Sequence, residues 1–215
     1  MRIIGIPVRD RETLLLTLLI TTDVIFMVLH VLHRYSGFFI DPQFSLTKDR
    51  GFAETFQYLK EGWIALVLLA LTLRTPNLLY PGWALLFGYL LLDDLFALHE
   101  RLGFRISRHL GFPEMLGLRP EDFGEVTVSA SAAVFLFALI GVGHYRADPA
   151  ARSISRSLFA LLAGLVFFGV VVDLIHVMLA YPVWLDLVED GGEMVMMSAI
   201  VWFVLRTYPE SPTPC

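Results

Sequence analysis

The sequence predicts an all-α integral membrane protein, a single domain built as a six-transmembrane-helix bundle. Three observations indicate this fold class: 56% of the 215 residues are hydrophobic, only 17% are charged, and the mean hydropathy is +0.67. Soluble domains carry about 25% charged residues, so this composition is typical of a chain whose surroundings are lipid. Helices are the expected spanning elements because open sheets leave backbone groups without hydrogen bonds in lipid.

Six apolar segments reach the roughly 20 residues that a helix needs to cross the hydrocarbon layer. The first is longer than the apolar region of a signal peptide and no small-residue cleavage site follows it, so we interpret it as a retained span. The fourth is rich in small residues at Ser129–Ala133, which favours close helix approach. The predicted spans cover residues about 12–33, 52–73, 81–100, 122–145, 154–181 and 185–207.

Acidic and histidine side chains interrupt these segments, most densely in the stretch Leu91–Arg101. An ionised carboxylate near the bilayer centre costs about 2.5–3.5 kcal/mol, so such groups are expected to face the bundle interior and to have partners. Odd spans carry their polar residues in the second half, and even spans carry them at the start. Because successive spans run in opposite directions, this pattern predicts that all of them gather at one end of the bundle.

These side chains predict a metal site at that end. Carboxylates mixed with imidazoles suit Zn, Fe or Mn, which the sequence does not distinguish. So many carboxylates cannot all stay ionised together without cations. The protein has few cations nearby: Arg34, Lys60 near the entrance to the polar end of the bundle, and Arg101. The predicted metal ligands are Asp23, His30, Glu54, Glu61, Asp93, Glu100, Glu125, Asp173, His176, Glu189 and Glu193.

Three observations bear on this ligand set. Asp173-x-x-His176 resembles the Glu-x-x-His element of di-metal carboxylate bundles, with Asp in place of Glu and one copy instead of two. On a continuous helix His99 lies about 100° away from the line through Asp93 and Glu100. The sequence therefore supports a hydrogen-bonding role for His99 at a helix end at least as well as a role as a metal ligand. Several acids are alternatively helix caps at the water interface: Asp49, Glu54, Glu121, Asp122, Glu189 and Asp190.

The acidic starts of the even spans, which close on Glu54, Glu125 and Glu193, are about one third of the chain apart. They are consistent with three pseudo-repeated helical hairpins, although an acidic residue is also an ordinary helix start. The basic residues divide evenly between the two sides. Because the last loop at the polar end has none, we expect both termini in the cytoplasm of a cell (inner) membrane and the polar end outside.

The function predicted from these observations is that of a membrane-embedded metalloenzyme, a hydrolase or oxidoreductase acting on a lipid or other apolar substrate. The alternatives are a proton or divalent-cation transporter or channel, and a structural or sensor protein without catalysis. Haem between His30 and His176 is disfavoured by the surrounding acids. The net charge of −5 argues against nucleic acid as a partner, which leaves the lipid bilayer. The single cysteine, Cys215, excludes a disulfide within one chain.

Overall fold

The structure is a computed structural model that describes residues 8–75, 77–114, 119–178 and 183–208. This part of the chain is helical and contains no β-strand, so the all-α prediction is confirmed. Its seven helices are α1 (Val8–Tyr35), α2 (Phe52–Arg74), α3 (Leu79–Phe96), α4 (Leu98–Leu110), α5 (Pro120–Arg146), α6 and α7 (Val183–Thr207). Helix α6 has three parts: Pro149–Val166, a π-helical stretch Phe167–Val172, and Asp173–Met178.

Four helices in the described ranges are long and apolar enough to cross a membrane, and the pair α3 and α4 adds a fifth if it is counted as one broken span. This set is compatible with a multi-pass membrane protein. The four single helices are Arg11–Tyr35, Phe52–Arg74, Pro120–Arg146 and Pro149–His176. Helix α7 is long enough but does not join them, because acidic residues interrupt its apolar sequence.

The prediction of six unbroken spans is wrong at residues 81–100. Helix α3 ends at Phe96, Ala97 adopts a left-handed conformation with φ of 48°, and the chain turns by 75° into α4. Residues 101–110, which lie between the third and fourth predicted spans, are therefore helical. No glycine or proline stands at the break, and a non-glycine residue seldom adopts positive φ, so nothing in the local sequence marks it.

The chain divides into two compact units. Unit 1 combines Met1–Ile64 with Ser153–Cys215, and unit 2 is Ala65–Arg152. In unit 1, α1 packs against α7, and α7 packs against the π-helical stretch of α6. In unit 2, both α3 and α4 pack against α5.

Glycines produce the closest helix contacts of unit 2. A Cβ on Gly103 of α4 would lie 2.5 Å from the backbone nitrogen of Glu125, and Gly124 of α5 meets the carbonyl group of Gly103 in the same way. Gly143 lies against the backbone of α3 at Leu79. Close approach was predicted at Ser129–Ala133 instead, but residues 129–131 are exposed. Glycine allows two helix backbones to approach this closely because it places no side chain between them, whereas serine and alanine each add a Cβ.

Candidate functional site

Unit 1 contains a buried ion pair between α1 and α2. Lys60 Nζ lies 3.0 Å from Asp23 Oδ1, and neither side chain is exposed at all. The same ammonium donates to the Met194 carbonyl at 2.9 Å and to Ser198 Oγ at 3.4 Å, both on α7. Ser198 Oγ in turn donates to Asp23 Oδ2 at 2.5 Å. Three helices thus meet at these four residues, which we call the lysine cluster.

The lysine cluster changes the predicted charge balance. Lys60 was placed near the entrance, but its long side chain reaches the interior, where its three donors find three acceptors and its ammonium lies 4.8 Å from the Phe56 ring. Asp23, predicted as a metal ligand, is instead neutralised by the ammonium. Glu61, which is also buried, lies close enough to Lys60 to interact electrostatically. The predicted need for a bound cation therefore does not hold for Asp23, because the protein supplies the cation itself.

A second polar group in unit 1, the histidine cluster, consists of His30, His176, Asp186 and Glu189. His176 Nδ1 lies 2.5 Å from Glu189 Oε2, and its Nε2 lies 3.1 Å from Asp186 Oδ1. His30 Nε2 lies 4.0 Å from the other oxygen of Asp186. Both histidines are buried, whereas the two carboxylates are partly buried. One imidazole is therefore held between two carboxylates, and a second faces one of them.

The hydrogen bonds of His30 assign its proton. The backbone N–H of Leu46 donates to His30 Nδ1 at 3.0 Å, so Nδ1 must be an acceptor. A neutral imidazole with Nδ1 as acceptor carries its proton on Nε2, the nitrogen that faces Asp186. The loop around Leu46 thus orients His30 as a donor toward the carboxylate.

Sequence reasoning did not include Asp186 among the candidate ligands. Asp186 lies in the first turn of α7, where an acid is an ordinary helix start. The spacing of the acids could have identified it: Asp186 is three residues before Glu189 and four before Asp190, so the three side chains share one face of the helix. The cap interpretation of Glu189 is wrong, since its carboxylate contacts His176 in the interior.

An acidic stripe along α7 begins at the histidine cluster and ends one residue before Met194 of the lysine cluster. Asp186, Glu189, Asp190 and Glu193 share one face of the helix, whereas Ser198 lies about 120° around the helix from Asp186 and roughly 18 Å from it along the axis. Glu193 lies against Gly169, in the π-helical stretch of α6, where any Cβ would collide with its carboxylate. Such single π-helical turns are frequent at functional sites. In unit 1 the polar residues are therefore spread along α7 rather than gathered in a single compact site.

Unit 2 holds a separate polar group where α3 bends into α4. Asp93 accepts hydrogen bonds from the backbone N–H of His99 at 2.8 Å and from His99 Nδ1 at 3.0 Å. Glu125 is close enough to interact electrostatically with His99. The assumption of a continuous helix separated His99 from Asp93, but the break at Ala97 brings them together. The alternative interpretation, a hydrogen-bonding histidine at a helix end, is confirmed.

Two of the predicted interface caps are found at helix starts. The Glu54 carboxylate accepts from the backbone N–H of Arg50 just before α2. Asp122 accepts from the backbone N–H of Arg119 at 2.7 Å and pairs with its guanidinium at 2.8 Å, which caps α5. Glu54 was also a predicted metal ligand, and its carboxylate is used in this cap.

The remaining predicted ligands are dispersed. Asp173 and Glu100 are exposed, and Glu100 lies on α4 beyond the bend. Over the described part of the chain, no group of three or more His, Cys, Asp or Glu side chains is placed to hold one metal ion. Eight predicted ligands belong to unit 1 and three to unit 2, so their convergence on one end of a single bundle stays a prediction. The members in unit 2 are Asp93, Glu100 and Glu125.

The comparison with protein families places these features in a wider group. A family model described as Domain of unknown function (DUF8692) matches residues 14–207, which include both clusters of unit 1 and the bend of unit 2. No curated protein and no solved structure matches the chain. Because the family model covers well over half of the sequence, the chain belongs to the DUF8692 family.

Proposed function

We propose that this protein is a multi-pass membrane protein that carries protons across the hydrocarbon layer, as a proton channel or a proton-coupled transporter. The observation that carries this proposal is the fully buried Lys60–Asp23 pair, in the same unit as the histidine cluster and the acidic stripe of α7. Ionisable groups within membrane segments are costly, and they mark proton relays and ion pathways. A well-packed apolar pair is often at least as stable as a buried ion pair, so stability alone does not account for this one.

The histidine cluster has the geometry of a proton shuttle. An imidazole accepts a proton at one ring nitrogen and releases another from the opposite nitrogen. Starting from neutral His176 with its proton on Nδ1, a proton from the Asp186 carboxyl passes to Nε2, and the Nδ1 proton then passes to Glu189. One proton has moved from Asp186 to Glu189, and the imidazole is again neutral with its proton on Nε2.

Beyond Glu189, the acidic stripe supplies the next acceptors. Glu193 is four residues after Glu189 and three after Asp190, and positions at these spacings are about 5–6 Å apart. The next residue after Glu193 is Met194, whose carbonyl belongs to the lysine cluster. A proton that binds Asp23 removes the counter-ion of Lys60, which must then release a proton or change its partners. Because Lys60 and Asp23 lie on different helices, protonation of Asp23 would change the contact between those helices and so couple proton binding to helix packing.

The proposal is tested by proton flux into liposomes that contain the purified protein, an internal pH-sensitive dye, and a potassium gradient with valinomycin. The wild-type protein is expected to acidify the lumen when the interior is negative. Asp23→Asn and His176→Gln are expected to slow this flux by at least about tenfold, because each removes a proton-exchanging group. Lys48→Met, which removes an exposed lysine outside both clusters, is the matched control and is expected to conduct like the wild type.

Two results would contradict the proposal. The first is a wild-type flux no greater than that of protein-free liposomes under the same gradient. The second is a flux that Asp23→Asn and His176→Gln leave unchanged although both variants are folded and inserted.

A second candidate is the membrane-embedded metalloenzyme. The observation in its favour is that two imidazoles, His30 and His176, face the same carboxylate of Asp186, the residue types of sites with two histidines and one carboxylate. These three side chains would have to move closer together to hold one ion. Glu189 on His176 Nδ1 would be the outer carboxylate typical of metal-bound histidines. The hydrogen bond from Leu46 opposes this role, because it leaves a proton on the His30 nitrogen that would have to bind the metal. If bound there, a divalent ion would polarise an ester or phosphate, or activate water.

Metal analysis of protein purified without chelators decides between the two candidates. The proton-pathway proposal predicts far less than one Zn, Fe or Mn per chain, and no difference between the wild type and His30→Gln. One equivalent in the wild type that is lost in both His30→Gln and His176→Gln would establish the metal centre instead.

We also propose the orientation of the protein in the membrane that the basic residues predict. Both termini are cytoplasmic, and the Leu46 loop with the histidine cluster lies toward the outer surface of the inner membrane. The supporting pattern is the absence of basic residues between α6 and α7, since basic loops are retained on the cytoplasmic side.

A further inference from the structure

Helix α4 has three chemically different faces. Arg101, Arg105 and Arg108 follow one another at spacings of four and three residues and form one exposed stripe. Leu102, Ile106 and Leu110 form a second stripe at spacings of four. Gly103 and Ser107 lie on the third face, which is buried. A helix of 13 residues with this division, and with a low average hydrophobicity, is typical of segments that lie in the membrane interface.

The apolar stripe of α4 is exposed rather than packed. Leu110 is 60% exposed and Leu102 is 43% exposed, although both are large aliphatic side chains. Phe104 is 42% exposed, and the Arg108 guanidinium lies over its ring at 4.6 Å. Phe104 lies on the other side of the arginine stripe from the leucines, and an arginine over an exposed aromatic ring is also expected where hydrocarbon meets charged headgroups.

The position of α4 in unit 2 fits that environment. Helix α4 follows α3 after the 75° bend, so a steeply inserted α3 directs α4 nearly parallel to the membrane plane. Two contacts hold it there: Asp93 binds His99 at the start of α4, and Gly103 crosses the backbone of α5 near Glu125. That crossing lies in the first turns of α5, beside the polar cap of Asp122.

We infer that α4 lies along the membrane surface with its apolar stripe in the acyl-chain boundary and that its three arginines bind anionic phospholipid headgroups. The guanidinium group donates paired hydrogen bonds to phosphate oxygens, and three of them in one row make a strongly basic edge. The helix contains one acid, Glu100, against these three arginines. The inference rests on the membrane insertion in the proposed function but not on proton transport.

The depth of α4 is measured with spin labels on single cysteines in a Cys215→Ser background. Leu110→Cys reports on the apolar stripe, and Leu85→Cys on the exposed side of α3 is the reference for a spanning helix. In vesicles of phosphatidylcholine with phosphatidylglycerol, collision rates with oxygen and with a water-soluble nickel complex give the depth of each label. We expect the Leu85 label in the hydrocarbon layer and the Leu110 label at the headgroup boundary.

The headgroup preference is measured with spin-labelled phosphatidylglycerol and phosphatidylcholine. The wild type is expected to restrict the anionic lipid at least about fivefold more strongly, because each basic residue near an anionic surface adds a factor of that order. The triple variant Arg101→Gln, Arg105→Gln and Arg108→Gln is expected to lose this preference. The matched control carries three equal charge losses at exposed positions outside α4: Arg34→Gln, Lys48→Gln and Arg50→Gln.

The outcomes distinguish a failure of this inference from a failure of the proposed membrane insertion. A Leu110 label in bulk water while the Leu85 label is in hydrocarbon overturns the surface position of α4 and leaves the membrane insertion intact. An equal lipid preference in the two triple variants overturns the headgroup site. If both labels are in bulk water, membrane insertion itself is wrong and the inference fails with it.

Discussion

Lys60→Met is expected to lower the free energy of unfolding by about 3–5 kcal/mol, because it leaves the Asp23 carboxylate buried without its counter-ion. Asp23→Asn is expected to be destabilising for the reciprocal reason. The double variant Asp23→Asn with Lys60→Met is expected to recover most of the loss, since no uncompensated charge remains inside unit 1. Unfolding with sodium dodecyl sulfate in mixed micelles, followed by circular dichroism, measures all four proteins.

This double-mutant cycle also separates folding from function. Lys48→Met serves as the control and should unfold like the wild type, because Lys48 is exposed. A double variant that is stable and inserted, yet silent in the liposome assay, is the result expected of a pair that acts in proton transfer. Additive losses in the two single variants, with no recovery in the double variant, would mean that Lys60 and Asp23 do not interact.

Gly124→Ala is expected to destabilise the packing of α4 on α5 by about 1–3 kcal/mol, through overpacking. Its Cβ would collide with the carbonyl group of Gly103, and backbone cannot move aside as a flexible side chain does. Gly141→Ala on the same helix is the matched control, because nothing lies within 4 Å of a Cβ there. That substitution is expected to be neutral or to stabilise by up to about 1 kcal/mol, since alanine is the better helix former.

Thermal unfolding of the two alanine variants in the same detergent compares these expectations directly. Equal midpoints for Gly124→Ala and Gly141→Ala would show that α4 and α5 do not cross as closely as described.

Much of the fold could be predicted from the sequence. Apolar runs of membrane length placed α1, α2 and α5 within a few residues of their observed ends, because lipid-compatible helices require long stretches without charge. The predicted span at residues 185–207 correctly placed Glu189, Asp190 and Glu193 in the first half of one helix, α7. The amphipathic helix α4 was not predicted, because its apolar residues alternate with charged residues and never form an apolar run.

What the sequence by itself determined was which long apolar segments are helical and which of them carry acids and histidines toward one end. Only the tertiary structure decided the partners. Asp23, Lys60 and Ser198 are far apart in the chain, and the reach of a lysine side chain allows many positions until three helices enclose it. Likewise, one residue at positive φ, Ala97, determines that His99 meets Asp93. Composition and periodicity describe one helix at a time, whereas these contacts depend on how neighbouring helices pack.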